Sequence, residues 1–279
     1  MQKKIYLTIA ILILFKIVSY AQPKEDDYKD MGVAVSPSSM HLSIKPGSIV
    51  TKEIKVNNAT SKTNKFQIGF SDFEMGPNGK PINMRKSNGR YSLSKWITAS
   101  PTYFELKPGE IMNIKLTFDI PDTDSSYISA WTILTIDQVV DRAPLDATDK
   151  PGAMSMGIIP SMGFGVYVYQ NPPNVKTKNV EIQKFILNDK DGKKKIAFEV
   201  KNTGDGIGYC SSYVELTNTK TGKQDRLQVK QFTILPQFSR IFDYDLPTDL
   251  AKGKYSVVGV IDFGSKEEII AAELEFEIP

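Results

Sequence analysis

The 279-residue chain holds one cysteine and one histidine. A single cysteine leaves no intrachain disulfide, and one cysteine with one histidine leaves no Cys/His zinc set. A lone histidine, His41, also excludes paired-histidine chemistry and is expected at the surface or half-buried. Cys210 is flanked by Tyr209 and Tyr213, which suggests a strand and a buried structural thiol. Tryptophan is scarce too, at two residues. Trp96 and Trp131 stand in apolar strand contexts, so they are expected in the core rather than on a sugar-stacking surface. After the first 21 residues no stretch is long and apolar enough to span a bilayer. Excess charge of either sign is missing as well. The whole chain carries 35 basic and 32 acidic residues. Lys3, Lys4 and Lys16 lie in residues 1–21, which hold no acid, so the remainder has 32 of each. A neutral chain does not fit a nucleic-acid binder held by phosphate contacts.

What is present begins with a leader. Lys3 and Lys4 precede an apolar run from Tyr6 to Phe15, and Ser19-Tyr20-Ala21 is a small-x-small cleavage signal. Residues 1–21 read as a secretory signal peptide. The run is shorter than the ~20 residues that cross a bilayer, which disfavours an uncleaved anchor. No cysteine follows Ala21, so lipid attachment is not indicated. Residues 22–32 are polar and aperiodic, as expected of a flexible N-terminus.

From Val33 onward helical periodicity is almost absent, while short alternating runs and turn signals recur. Met112, Ile114, Leu116, Phe118 and Ile120 form the cleanest alternation. Pro-Gly turns fall at Pro46-Gly47 and Pro108-Gly109, and hairpin-type turns at Asp189–Gly192 and Lys220–Lys223. Val33–Ile44, Tyr127–Ile136, Met154–Tyr169, Gly208–Thr217 and Arg226–Ile234 each read as a strand. Met75–Gly89 and Asp137–Pro151 read as loops. Asn171-Pro172-Pro173-Asn174 is the strongest linker candidate, because two prolines cannot continue a central strand. The expectation is an all-β chain with two β-sandwiches in tandem after a signal peptide, at 33–171 and 172–279.

Chemistry-bearing motifs are few. Asp119, Asp122, Asp124, Asp137 and Asp141 flank turns, and nothing fixes the separation that a paired-carboxylate mechanism needs. They have no EF-hand spacing. Gly204–Gly208 is glycine-rich, but no helix follows it, so it reads as a turn or bulge rather than a phosphate cradle. The expectation is a non-enzyme with no metal and no small-molecule cofactor.

The order of features carries a resemblance. Ser100-Pro101, Leu106 and Pro108-Gly109 are followed by a strand with Tyr127 and Ala130, a long loop, and a closing strand with Tyr169 before Pro172. This layout resembles the PapD-like family of periplasmic pilus chaperones. A weaker resemblance, at Lys252-Gly253-Lys254-Tyr255, is to surface proteins that interact with WxL-type cell-wall proteins. The first resemblance implies two immunoglobulin-like β-sandwich domains and a periplasmic, chaperone-like protein-binding role. The partner it implies is an exported or outer-membrane protein, engaged by β-strand addition. The matching strand here is Met154–Tyr169, and the partner-binding candidates are Met154, Met156, Ile158, Ile159, Met162, Phe164, Val166 and Val168. Side chains alternate along a strand, so one parity packs inward and the other meets solvent or a partner. Typical members also place an arginine on the first strand and a lysine near the last, to hold a terminal carboxylate. Val33–Ile44 and Ile158–Tyr169 contain neither residue. Two other readings stand beside the chaperone: a permanent accessory subunit of an envelope secretion or surface-adhesin complex, and a carbohydrate-binding β-sandwich.

Overall fold

The computed structural model describes residues 31–83, 89–140, 160–175, 179–190, 193–264 and 268–279. Their regular structure is almost entirely strand. Four strands form the first sheet, in the order β1 (Gly32–Ser36), β3 (Ser48–Ala59), β9 (Ile111–Ile120) and β7 (Ile97–Ser100). Facing it are β2 (Ser39–Leu42), β11 (Gly163–Gln170), β10 (Ala130–Val139), β4 (Asn64–Ser71) and β8 (Tyr103–Leu106). A short hairpin, β5 (Phe73–Met75) and β6 (Pro81–Asn83), leaves this second sheet after β4. A second sandwich follows. One of its sheets is β12 (Val180–Lys190), β13 (Lys193–Asn202) and β17 (Ser239–Asp245). The other is β15 (Gln224–Arg226), β14 (Gly208–Asn218), β18 (Gly253–Asp262) and β19 (Ile270–Ile278), with β16 (Lys230–Ile234) also paired to β14. No helix among the described residues is long and apolar enough to cross a membrane.

Alternation explains the first sandwich. Ile114, Leu116, Phe118 and Ile120 of β9 point inward and are fully buried, as are Ile54 and Val56 of β3. They meet Phe66, Leu134, Ile136, Val166 and Val168 from the facing sheet in one apolar cluster. The turn before β9 is a type II turn. Pro108 takes its second position, and Gly109 supplies the positive φ of 73° that the third requires. Glu110 N donates to Lys107 O at 3.1 Å to close it. Beside it, Asn58 at the end of β3 is fully buried and donates to Lys62 O, Leu106 O and Lys107 O. Its Oδ1 accepts from Asn64 Nδ2 at 3.0 Å. Asn202 acts similarly in the second sandwich, donating to Gly206 O and Ile234 O while accepting from Gly204 N. These buried amides meet the main-chain groups that the strand ends leave unpaired.

Several strand boundaries differ from the sequence expectation. Val33–Ile44 is two strands, β1 and β2, in opposite sheets. Tyr127 stands in a 3-10 turn, and its strand starts at Ala130. Arg226–Ile234 is broken between β15 and β16. Part of the expected Met75–Gly89 loop is the β5–β6 hairpin. The Gly204–Gly208 loop is organised by Asn202, with no helix after it.

A third apolar cluster lies between the sandwiches. Phe73, Met75, Trp131, Ile133 and Tyr169 of the first pack with Ile207 and Leu235 of the second, joined by Tyr91, Tyr167 and Phe238. Polar contacts ring this cluster. Ser129 N donates to Asp205 O at 3.3 Å, and Ile207 N reaches Ser129 Oγ and Asn171 Oδ1 at 3.2 Å each. On the hairpin side, Ile241 N donates to Pro77 O at 2.7 Å. Apolar burial and these bonds tie the two sandwiches along one junction.

Candidate functional site

β11 sits between β10 and β2, but its two neighbours cover it unequally. Its ladder with β10 runs the full length, from Gly163 opposite Asp137 to Gln170 opposite Ala130. Its parallel pairing with β2 covers only Tyr167–Gln170. Among the described residues, no strand therefore pairs with Gly163–Val166 on the side away from β10.

The direction of each main-chain group follows from the bonds at the two ends. Tyr167 N donates to Ser38 O and Asn171 N to Leu42 O, so odd-numbered residues direct N–H and C=O towards β2. Met162 O accepts from Gln138 N, so even-numbered residues face β10. By this alternation the N–H and C=O groups of Gly163 and Gly165 point out from the open half-edge. A row of main-chain groups with no strand partner among the described residues is a template for another strand.

Side chains on the same stretch follow the perpendicular alternation. Val166 and Val168 are fully buried in the first sandwich, and Phe164 packs against the same cluster. These three partner-binding candidates are thus inner-face residues of the sandwich. Met162 lies just ahead of the strand and is 43% exposed. Met154, Met156, Ile158 and Ile159 lie outside the described residues. On the outer face the two glycines make room for side chains of β10: a Cβ on Gly165 would stand 3.1 Å from Ile133 Cγ2, and one on Gly163 would stand 2.7 Å from Asp137 Oδ1.

Further along β11 the outer face turns aromatic. Tyr167 and Tyr169 stack at 6.4 Å and meet the edge of Phe73. His41 is exposed, yet its ring stacks on Tyr169 at 5.1 Å and meets Tyr209 edge-on at 5.0 Å. Burial pushes the Tyr169 hydroxyl up to about 12, with Tyr167 adding to the effect. Trp131 is buried, and its Nε1 donates to Phe73 O at 2.7 Å. Trp96 packs against the first core, with Lys95 Nζ 4.5 Å from its ring centroid. Neither tryptophan belongs to an exposed coplanar pair.

The remaining sequence candidates are scattered. Asp122 Oδ1 accepts from Tyr127 at 2.6 Å, and this hydrogen bond raises the tyrosine hydroxyl above its ordinary value. Asp137 stands on β10, and Asp141 is outside the described residues. Among the described residues no group of three or more His, Cys, Asp or Glu side chains could hold a metal ion. Cys210 is buried on β14, and burial pushes its thiol up to about 12.

No family model matches the chain, and no curated protein matches it in sequence. Solved structures are similar to it. The class 5 fimbriae chaperone CfaA is 12% identical, with a TM-score of 0.44, covering 89% of this chain and 100% of that one. The YadV chaperone is 14% identical, with a TM-score of 0.41 and coverage of 89% and 100%. The E. coli chaperone DraB is 16% identical, with a TM-score of 0.40 and coverage of 87% and 96%.

Proposed function

We propose that the protein is a non-enzymatic, chaperone-like protein of the periplasm that engages an exported or outer-membrane protein by β-strand addition. The observation that carries the reading is the half-edge of β11 that has no strand partner among the described residues, where Gly163 and Gly165 aim their main-chain groups away from β10. In strand addition, main-chain bonds supply affinity and alternate side chains supply selectivity. The exposed Met162 adds an adaptable apolar contact at the mouth of that edge. In this reading residues 33–171 form the strand-accepting domain, residues 172–279 brace it, and residues 1–21 direct export. In this reading the partner meets Met162 and the main chain of Gly163 and Gly165, together with Met154, Met156, Ile158 and Ile159.

The test is an affinity capture from the native envelope fraction in mild detergent, with mass spectrometry and hydrogen exchange. The expected result is retention of an exported or outer-membrane protein, protection of the Gly163 and Gly165 amides in the complex, and loss of both on Gly165→Pro. Equal capture by the proline variant, or no new protection at these amides, would refute the reading. Substoichiometric clients would mark a chaperone, and a stable one-to-one partner an accessory subunit.

A further inference from the structure

A cavity of about 260 Å³ opens at the junction, between the β5–β6 excursion and the turn that joins β16 to β17. Four aromatic side chains line it, Phe73, Tyr91 and Trp131 from the first sandwich and Phe238 from the second, beside polar and charged residues. Tyr91 and Trp131 stack at 4.8 Å, and Phe238 stands edge-on to Trp131 at 6.3 Å. Asp72 also lines the space. This residue is only 6% exposed. Its Oδ2 accepts from Ser94 Oγ at 3.2 Å, while its Oδ1 is buried without any hydrogen-bond partner. Glu74 and Arg90 contribute one charge of each sign to the lining, so Asp72 sets the balance at net negative.

A buried acceptor without a donor is costly, and more so when it is charged. The indole N–H of Trp131 is committed to Phe73 O, so it does not serve Asp72. The space is much larger than one water needs, and four of the side chains lining it are aromatic rings. An occupant with a donor-rich cationic head and an apolar body suits both features. The head would meet the carboxylate, and aromatic rings attract cations held over their faces. The enclosing turn is itself strained. Leu235–Phe238 has Pro236 in its second position and Gln237 in its third with φ of 68°, where glycine is the usual choice. Bonds from Gln237 N to Asn202 O and from Phe238 N to Leu235 O hold this turn, which carries Phe238 beside Trp131. Backbone held in such a conformation concentrates at ligand sites.

We propose that this cavity binds an organic cation, an ammonium or guanidinium group on a short apolar stem, with Asp72 as its counter-ion and Tyr91, Trp131 and Phe238 as its walls. The cation would be either a small free molecule or a Lys or Arg side chain presented by a protein. The site is separate from the β11 edge and does not depend on strand addition.

Trp96→Phe leaves Trp131 as the only tryptophan, a reporter inside the site. This variant is titrated with n-butylguanidinium, n-butylammonium and the neutral isostere n-butylurea while its emission is followed. The expected result is a saturable change with both cations and at least tenfold weaker binding of the urea. Asp72→Asn should weaken the cations about tenfold or more and narrow that gap. A tripeptide Ala-Arg-Ala binding more tightly than butylguanidinium would assign the site to a protein side chain, and the reverse order would assign it to a free cation. No saturable change, or equal affinity for cation and urea, would overturn the proposal and leave a hydrated void. The urea comparison keeps the test decisive even where Asp72→Asn fails to fold. Gly165→Pro should leave cation binding unchanged, which separates this outcome from failure of the strand-addition reading.

Discussion

Proline scanning of β11 offers a test that requires no partner. At Gly165 the N–H points away from β10, so proline removes no described hydrogen bond. Proline is tolerated where its missing N–H faces an open edge. The remaining cost comes from the new Cβ, 3.1 Å from Ile133 Cγ2, and alanine at the same position measures that cost. Relative to Gly165→Ala, Gly165→Pro should therefore lose less than about 1 kcal/mol. At Val166 the N–H faces β10, opposite Leu134. Relative to Val166→Ala, Val166→Pro removes one ladder bond, worth about 1 kcal/mol net, and strands a buried carbonyl at about 1–3 kcal/mol more. The two positions should thus differ by about 1–4 kcal/mol despite being adjacent. Both tryptophans, Trp96 and Trp131, belong to the first sandwich, so urea unfolding followed by tryptophan fluorescence reads the right region. If Gly165→Pro proved as damaging as Val166→Pro, each against its alanine control, the half-edge would already be occupied and the reasoning would fail.

Other perturbations follow from separate parts of the molecule. Asn58→Ala should cost about 1–3 kcal/mol, because Leu106 O and Thr60 N lose the Asn58 amide while Lys62 O, Asn64 Nδ2 and Lys107 O keep other partners, and urea denaturation would show it. Gly259→Ala should cost about 1–3 kcal/mol through overpacking, since its Cβ would lie 2.2 Å from Phe198 Cζ and 2.5 Å from Phe185 Cε2; an unchanged urea midpoint would contradict this. The Tyr169 hydroxyl and Cys210 thiol both lie at about 12 when folded, above their ordinary values of 10.0 and 9.0. The unfolded chain therefore releases these protons first, so stability holds below about pH 9 and falls between about pH 9 and 12. A urea midpoint that rises from pH 9 to 11 would contradict that sign. The same burial should keep Cys210 from reacting with a thiol reagent at pH 8 until denaturant is added.

The sequence was most informative where one residue type does one job. The Met112–Ile120 alternation became β9 because each inward position is filled by an apolar side chain. Pro108-Gly109 is legible for the same reason, since only a few residues suit that turn. Val33–Ile44 was harder to read. Its apolar positions change parity between Val35 and Met40, which marks the passage from one sheet to the other across Pro37. In β11 the sequence displayed an apolar parity without saying whether core or partner takes it. The packing places the side chains of Phe164, Val166 and Val168 against the first core. The junction was not visible at all. Phe73, Trp131, Ile207 and Phe238 come from separate segments with no shared period, so only the fold brings them together.

That junction also bears on the order in which the chain is made. Synthesis proceeds from the N-terminus, so Phe73, Trp131 and Tyr169 emerge well before Ile207, Leu235 and Phe238. Until those later residues arrive, the early half carries a sticky aromatic flank with nothing to cover it. A ribosome stalled after β11, or a protease cut near Asn174, would leave a fragment prone to self-association. The second half is in this sense a lid completed last, and a nascent chain needs shielding until it closes.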